Sequence, residues 1–156
     1  MDRMKQIYEK KGYSKSWIEQ RERGITTRYN LTDEWKERGA TVGTDYAILT
    51  NEIYKTVFGF SAQEYKNIKG LHESQNLRDS MTNIETALTN LGEAAAVEIH
   101  KNNNSTGMEQ LKSDVQKAGN VLNKAKTELE FELNKPIVTS KNYIDLTDNK
   151  DLIETK

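Results

Sequence analysis

The sequence predicts an all-α fold, and three observations carry that expectation. The chain has 156 residues with one proline and no cysteine, so few breakers interrupt helices and no disulfide framework competes with them. Ser or Thr followed three residues later by Glu occurs at Ser16/Glu19, Ser61/Glu64, Thr82/Glu85 and Thr106/Glu109. Each pair spells a capping box, in which the hydroxyl takes an orphan backbone N–H and the glutamate reaches back. In the last third, Met108, Leu111, Val115, Ala118, Leu122, Ala125 and Leu129 recur at alternating spacings of three and four. That is a heptad-like helical seam.

Each element follows in order. A short helix is expected from Asp2 to Lys11, ended by Gly12. A longer one runs from Ser16 toward Arg38, with Trp17, Ile25, Tyr29 and Trp35 available for one face and Gly24 as a point of bending or splitting. After a loop at 39–43, Thr44 or Asp45 starts a helix that carries Leu49, Ile53, Val57 and Phe58 and ends at Gly59. Ser61 to Lys69 forms a short helix closed by Gly70, and helical turns continue from Glu73 to Ser80. From Thr82, the apolar positions Ile84, Leu88, Leu91, Ala95 and Ile99 form a stripe that runs out in a turn rich in Asn. The 108–129 seam then returns along it. The resulting architecture is a multi-helix domain over 1–81 and an antiparallel, coiled-coil-like αα-hairpin over 82–135. A short extended piece at Ile137–Val138, a last turn from Ser140 through Tyr143 and Leu146, and a loose polar tail make up 136–156. The bland use of the seam is packing within the hairpin; a homodimer through 108–129 is the alternative.

Composition narrows the function classes. Apolar residues make up 35% of the chain, below the roughly 45–50% of ordinary globular proteins. The mean hydropathy is -0.86. No apolar run approaches the ~18–20 residues that span a bilayer, and MDRMKQIYEKKGY has no apolar signal region. A cytoplasmic address, no membrane, and a thin core that leans on long helices or a partner are the expectations. Net charge is -1, distributed as +3 over residues 1–39, -1 over 40–80 and -3 over 81–156.

The search for catalysis is nearly empty. His72 and His100 stand outside any zinc-ligand spacing, and surface or capping roles are the default for both. There is no phosphate-binding glycine loop and no nucleophile elbow. No catalytic, cofactor-binding or metal-ligating residue is therefore expected, and no enzyme. One stretch suits nucleic acid: Lys5, Lys10, Lys11, Lys15, Arg21, Arg23 and Arg28 interleave with Tyr8, Tyr13, Trp17 and Tyr29. Cations for phosphates beside rings for bases is the pattern of a single-strand surface. An ordinary amphipathic helical pair is the other reading.

The middle of the chain carries a longer pattern. Its elements are Asp45-Tyr46, Asn51 with Tyr54, Phe58-Gly59, Lys69-Gly70-Leu71, Ser74-Gln75, and Leu77-Arg78-Asp79-Ser80-Met81, extended by Glu85 and Leu88. In order and spacing this resembles the DNA-damage-inducible protein D (DinD) family and the related BRO-type phage antirepressor-like proteins, over roughly residues 30–135. The resemblance implies a non-enzymatic protein of the DNA-damage response or of a mobile element. It implies a RecA-like recombinase filament or DNA as partner. It also implies that this chain corresponds to the C-terminal helical half, since nothing here supplies the mixed α/β pattern of a BRO-N-like domain. A DNA-binding antirepressor-type regulator and an oligomerisation module of a larger protein are the alternatives. Asp45, Tyr46, Asn51, Tyr54, Gly59, Lys69, Gly70, Leu71, Gln75, Asp79 and Met81 are the family-motif positions; core and turn roles would account for many of them.

Overall fold

In a computed structural model, described over residues 2–140, the chain is all-helical, with no strand among the described residues. The order is α1 (Asp2–Lys10), α2 (Lys15–Glu37), α3 (Gly43–Phe58), α4 (Ala62–Lys69), a 3-10 turn (Leu77–Ser80), α5 (Asn83–Asn103) and α6 (Met108–Leu133).

Two capping boxes form as spelled. Ser61 Oγ accepts from Glu64 N at 3.2 Å while Ser61 N donates to Glu64 Oε1 at 3.1 Å. Thr82 and Glu85 do the same at the start of α5. The other two differ. Helix α2 begins one residue before Ser16, with Ser14 as its cap accepting from Trp17 N at 3.2 Å. At α6 the cap is Gly107, without a side-chain acceptor. There a tertiary contact overrides the local box: Gly107 N donates to Arg38 O at 2.7 Å, and the Gly39 backbone sits against Gly107. Thr106 N donates to Gln110 Oε1 instead. Helix α3 starts at Gly43, slightly before the expected Thr44 or Asp45, and the Asp45 carboxylate accepts from the N–H groups of Thr41 and Val42. Between His72 and Asn76 the expected helical turns are absent; side-chain bonds such as His72 N to Gln75 Oε1 (2.8 Å) hold a tight turn there.

Gly24 does not split α2, which is continuous from Lys15 to Glu37. Its role is close approach: a Cβ there would lie 2.6 Å from Asn90 Oδ1 on α5. Gly119 acts likewise between α6 and α3, where a Cβ would run into the Thr56 side chain; at Gly92 a Cβ would make ordinary contacts with Val57 and Leu122. Helices α5 and α6 run antiparallel, since His100 meets Asp114 near the connecting turn and Gly92 faces Leu122 farther along. Helix α6 lies against α3 as well, with Gln116 on Glu52 and Asn123 on the Val57 carbonyl.

The main core gathers Leu31, Trp35, Leu49, Ile53, Val57 and Tyr65 with residues of α5 and α6. Of the 108–129 seam, Leu111, Val115, Ala118 and Leu122 are buried in it, while Ala125 and Leu129 are exposed. Burial of a side chain such as Leu111 or Val115 is worth roughly 1.5–3 kcal/mol. This part of the seam is occupied within one chain. The stripe expected on α5 is only partly inward: Leu88 is buried, but Ile84 and Leu91 are exposed. The positions facing inward instead include Glu85, Thr89, Glu93 and His100, because each of these side chains finds at least one partner there. A smaller core under the N-terminus holds Tyr8, Trp17 and Ile18.

Asn134 ends α6 in the left-handed conformation (φ 57). Glu130 then accepts from Ile137 N at 2.9 Å, which tucks Ile137 into the core. Ile137 and Val138 are irregular rather than strand. The turn expected through Tyr143 and Leu146, and the polar tail, lie outside the described residues. Among the described residues, no helix is long and apolar enough to cross a membrane.

Candidate binding surfaces

The basic and aromatic N-terminal residues divide into two groups. Tyr8, Tyr13 and Trp17 pack on one another, with Tyr13 and Trp17 stacked at 3.8 Å between centroids. Tyr8 and Trp17 are buried and so are core rings rather than stacking platforms for bases. Arg21 and Arg28 are turned to internal ion pairs, with Asp79 at 3.1 Å and with Glu93 at 3.0 Å. Lys10, Lys11, Lys15 and Arg23 are exposed, and Lys5 is half-buried. Tyr29 is exposed on α2.

The family-motif positions are mostly tied into the frame. Tyr46 Oη donates to Ala40 O, and Asn51 Oδ1 accepts from Ala62 N at 2.9 Å, fixing α4 on α3. Gly59 and Gly70 take left-handed C-cap conformations at φ 87 and 71, where any Cβ is strained. Leu71 packs on the core and Met81 lies within it. Lys69 pairs with Glu85 at 2.9 Å, both side chains sealed from solvent. Asp79 accepts from Tyr8 Oη at 2.7 Å and from Arg21 Nε, while its carbonyl accepts from Tyr13 Oη, so one residue holds α1 and α2 to the 3-10 turn. Burial, aided by this bond to Asp79, pushes the Tyr8 phenol up to about 12.

A second charge cluster surrounds Glu93, which is fully buried. Its two oxygens receive Arg28 Nη1 at 3.0 Å and Arg78 Nη1 at 2.6 Å. Arg28 also donates to Thr50 Oγ1 and lies over the Trp35 ring, while Arg78 Nε donates to Tyr54 Oη at 3.2 Å. Burial opposes the Arg78 charge, but the Tyr54 oxygen and Glu93 outweigh it and hold its pKa above the ordinary value. On the solvent side of the two guanidiniums lies a cavity of about 620 Å³ between α2, α3, α4 and the 73–78 segment. Gln75, Arg21 and Lys66 also line it.

The third cluster reverses the expectation for His100. It is not a surface or capping histidine but fully buried, because both ring nitrogens are engaged. Nε2 accepts from Trp35 Nε1 at 3.1 Å, which places the ring proton on Nδ1, 2.9 Å from Asp114 Oδ2. Ser105 Oγ and Asn103 Nδ2 also donate to Asp114. Burial works to raise the Asp114 pKa, but hydrogen bonds from Ser105, His100 and Asn103 prevail and hold it below the usual carboxylate value. Although a serine, a histidine and an aspartate meet here, the serine bonds the aspartate and the imidazole has no free nitrogen. The order needed to activate a nucleophile is missing. His72 is exposed. Among the described residues, no group of three or more His, Asp or Glu could hold a metal ion.

Sequence reasoning named Glu85, Arg78 and His100 without their buried pairings, and gave Glu93 and Asp114 no role. Glu85, Glu93 and His100 share one face of α5 by helical spacing with Leu88 and Ala96, which was the available signal. The opposite edge of that helix exposes Ile84 and Leu91 (58% exposed), and α6 exposes Val121 (62%) and Leu129. The antiparallel register that sets Gly92 against Leu122 brings Leu91 and Val121 to the same level, midway along the helix pair.

No curated protein matches this chain at a significant level. The family model described as the DinD C-terminal domain matches residues 10–145, most of the chain. The chain therefore belongs to the DinD family, through its C-terminal domain, and is a DNA-damage-related protein.

Proposed function

We propose that this domain is a non-enzymatic docking module of a DNA-damage-related protein, and that its α5–α6 edge binds a recombinase filament. The observation that supports this reading is the set of exposed apolar side chains Ile84, Leu91, Val121 and Leu129 on the paired helices α5 and α6. Apolar side chains grouped on a surface stand where a partner can remove them from water. Polar pairs inside α5 hold that edge in place, so docking needs little ordering of the chain. The test is co-sedimentation of the purified chain with recombinase filaments assembled on single-stranded DNA, against DNA alone. Filament-dependent retention supports the reading; its absence refutes it. A second copy of the chain covering the same edge is the competing occupant. Light scattering over a concentration series separates the two, because a strict monomer removes the oligomerisation alternative.

A second reading, DNA binding of antirepressor type, draws on Lys10, Lys11 and Lys15, which are exposed around the turn between α1 and α2. If these lysines contact phosphates, binding to a single-stranded oligonucleotide falls steeply between low and moderate salt, and reversing Lys10 and Lys11 to Glu abolishes it. Binding indifferent to both changes sinks this reading.

A further inference from the structure

The cavity beside Arg28 and Arg78 has a chemical bias that neither docking reading uses. From the roughly 300–1,000 Å³ typical of small-molecule sites, its volume of about 620 Å³ is that of a ligand pocket rather than a packing defect. Its unspent hydrogen-bonding capacity is mostly donor, with the Glu73 carboxylate as the charged acceptor in the same lining. Arg78 uses Nη1 and Nε, and Arg21 uses Nε; among the described residues, Arg78 Nη2 and both Arg21 Nη groups have no acceptor. Lys66 Nζ spends one N–H on Glu73 O at 2.9 Å and keeps two. Gln75 and Asn76 both spend their carbonyl oxygens on backbone N–H groups, which leaves their amide NH₂ groups. Such a wall asks for a ligand that is rich in acceptors.

Charge points the same way. Arg21, Arg28 and Arg78 are paired with Asp79 and Glu93; with Lys66 and Glu73 also in the lining, four positive charges stand against three negative ones, leaving one positive charge in excess. The Glu93 carboxylate sits behind the two guanidiniums and fixes them, so their open edges are positioned before a ligand arrives. Tyr29 on the same wall has an exposed ring that can cover a flat group. We infer that this cavity binds a phosphate monoester of nucleotide size, with the phosphate on the open edges of Arg21, Arg78 and Lys66 and a planar ring on Tyr29.

The experiment is calorimetric titration of the full chain with AMP, adenosine and inorganic phosphate at low salt, with a single-stranded DNA oligomer as a fourth arm. AMP is expected to bind saturably at one site, with phosphate competing and adenosine at least about tenfold weaker. Lys66→Gln is expected to weaken AMP and phosphate alike, whereas Tyr29→Ala weakens AMP and spares phosphate. Both side chains reach the surface and leave Glu93 paired, and unchanged circular dichroism and Tm verify that each variant folds. Equal affinity for AMP and adenosine overturns the inference, as does AMP binding that ignores both substitutions. Absence of saturable binding by AMP and phosphate also overturns it. Binding of the oligomer alone, without competition from AMP or phosphate, overturns it in favour of a nucleic-acid backbone.

Discussion

The two sides of α5 partly invert the usual amphipathic rule. Beside Leu88, Ala96 and Val97, its inward side buries Glu85, Thr86, Thr89, Glu93 and His100, while its outer edge exposes Ile84 and Leu91. Ordinarily the apolar stripe faces the core and charge faces water. The inversion is tolerable because each buried charge is met: Glu85 by Lys69, Glu93 by two arginines, His100 by Asp114 and Trp35. Burying such groups unpaired would cost several kcal/mol each, on the order of what a small domain has in total. The inner side therefore fixes the rotation of α5 through directional bonds, and the rotation so fixed turns two large apolar residues outward. One side is held by these pairs, with only Glu85 Oε1 and Thr86 Oγ1 on it lacking a hydrogen bond among the described residues; the other is left for something else to cover.

The comparison breaks most severely at Glu93. Replacing it by Gln leaves two guanidiniums sharing one neutral partner, and Glu93→Gln is expected to lower unfolding free energy by about 3 kcal/mol in urea. An unchanged midpoint would mean that the cluster does not hold α2 and the 3-10 turn to α5. Next comes Gly119→Ala, where the added methyl meets Thr56, and a loss of about 2 kcal/mol is expected from overpacking of α3 on α6. Asp114→Asn follows, at about 1–2 kcal/mol, since the His100 and Ser105 donors lose a charged acceptor. The same residue gives a pH signature. Because its folded pKa lies below the unfolded value, its contribution is complete above the ordinary carboxylate range, near pH 4, and drains away as pH falls through the depressed value. Acid unfolding of Asp114→Asn should accordingly show a shallower slope than wild type below about pH 4. The smallest effect on stability is expected at the outer edge: Leu91→Ser should stay within about 0.5 kcal/mol, as exposed positions do.

What could be read in the sequence was local. The boxes at Ser61/Glu64 and Thr82/Glu85 set helix starts because the bonds close within four residues. Gly59 and Gly70 ended helices for an equally local reason. The failures share a cause in distant contacts. Thr106 yielded its cap to Gly107, which is drawn to Arg38 O across the molecule. Gly24 read as a breaker, but it is a contact point for Asn90. Arg21 and Arg28 read as free cations, yet their partners lie at Asp79 and Glu93, far along the chain. Periodicity placed Ile84 and Leu91 inward because it counts apolar residues and cannot see that polar ones have found partners. The DinD pattern was legible because its residues, from Asn51 under α4 to Asp79 under α1, are the joints of this frame.

The docking role rests on the outer edge, and one measurement bears on it directly. Wild-type chain and the double variant Leu91→Ser, Val121→Ser are each titrated onto purified recombinase filaments assembled on single-stranded DNA, with Tm recorded for both. Filament-dependent binding by wild type is expected, with a loss of at least about tenfold in the variant at unchanged Tm. Equal retention of the two proteins, or no retention of wild type beyond that on DNA alone, would contradict it.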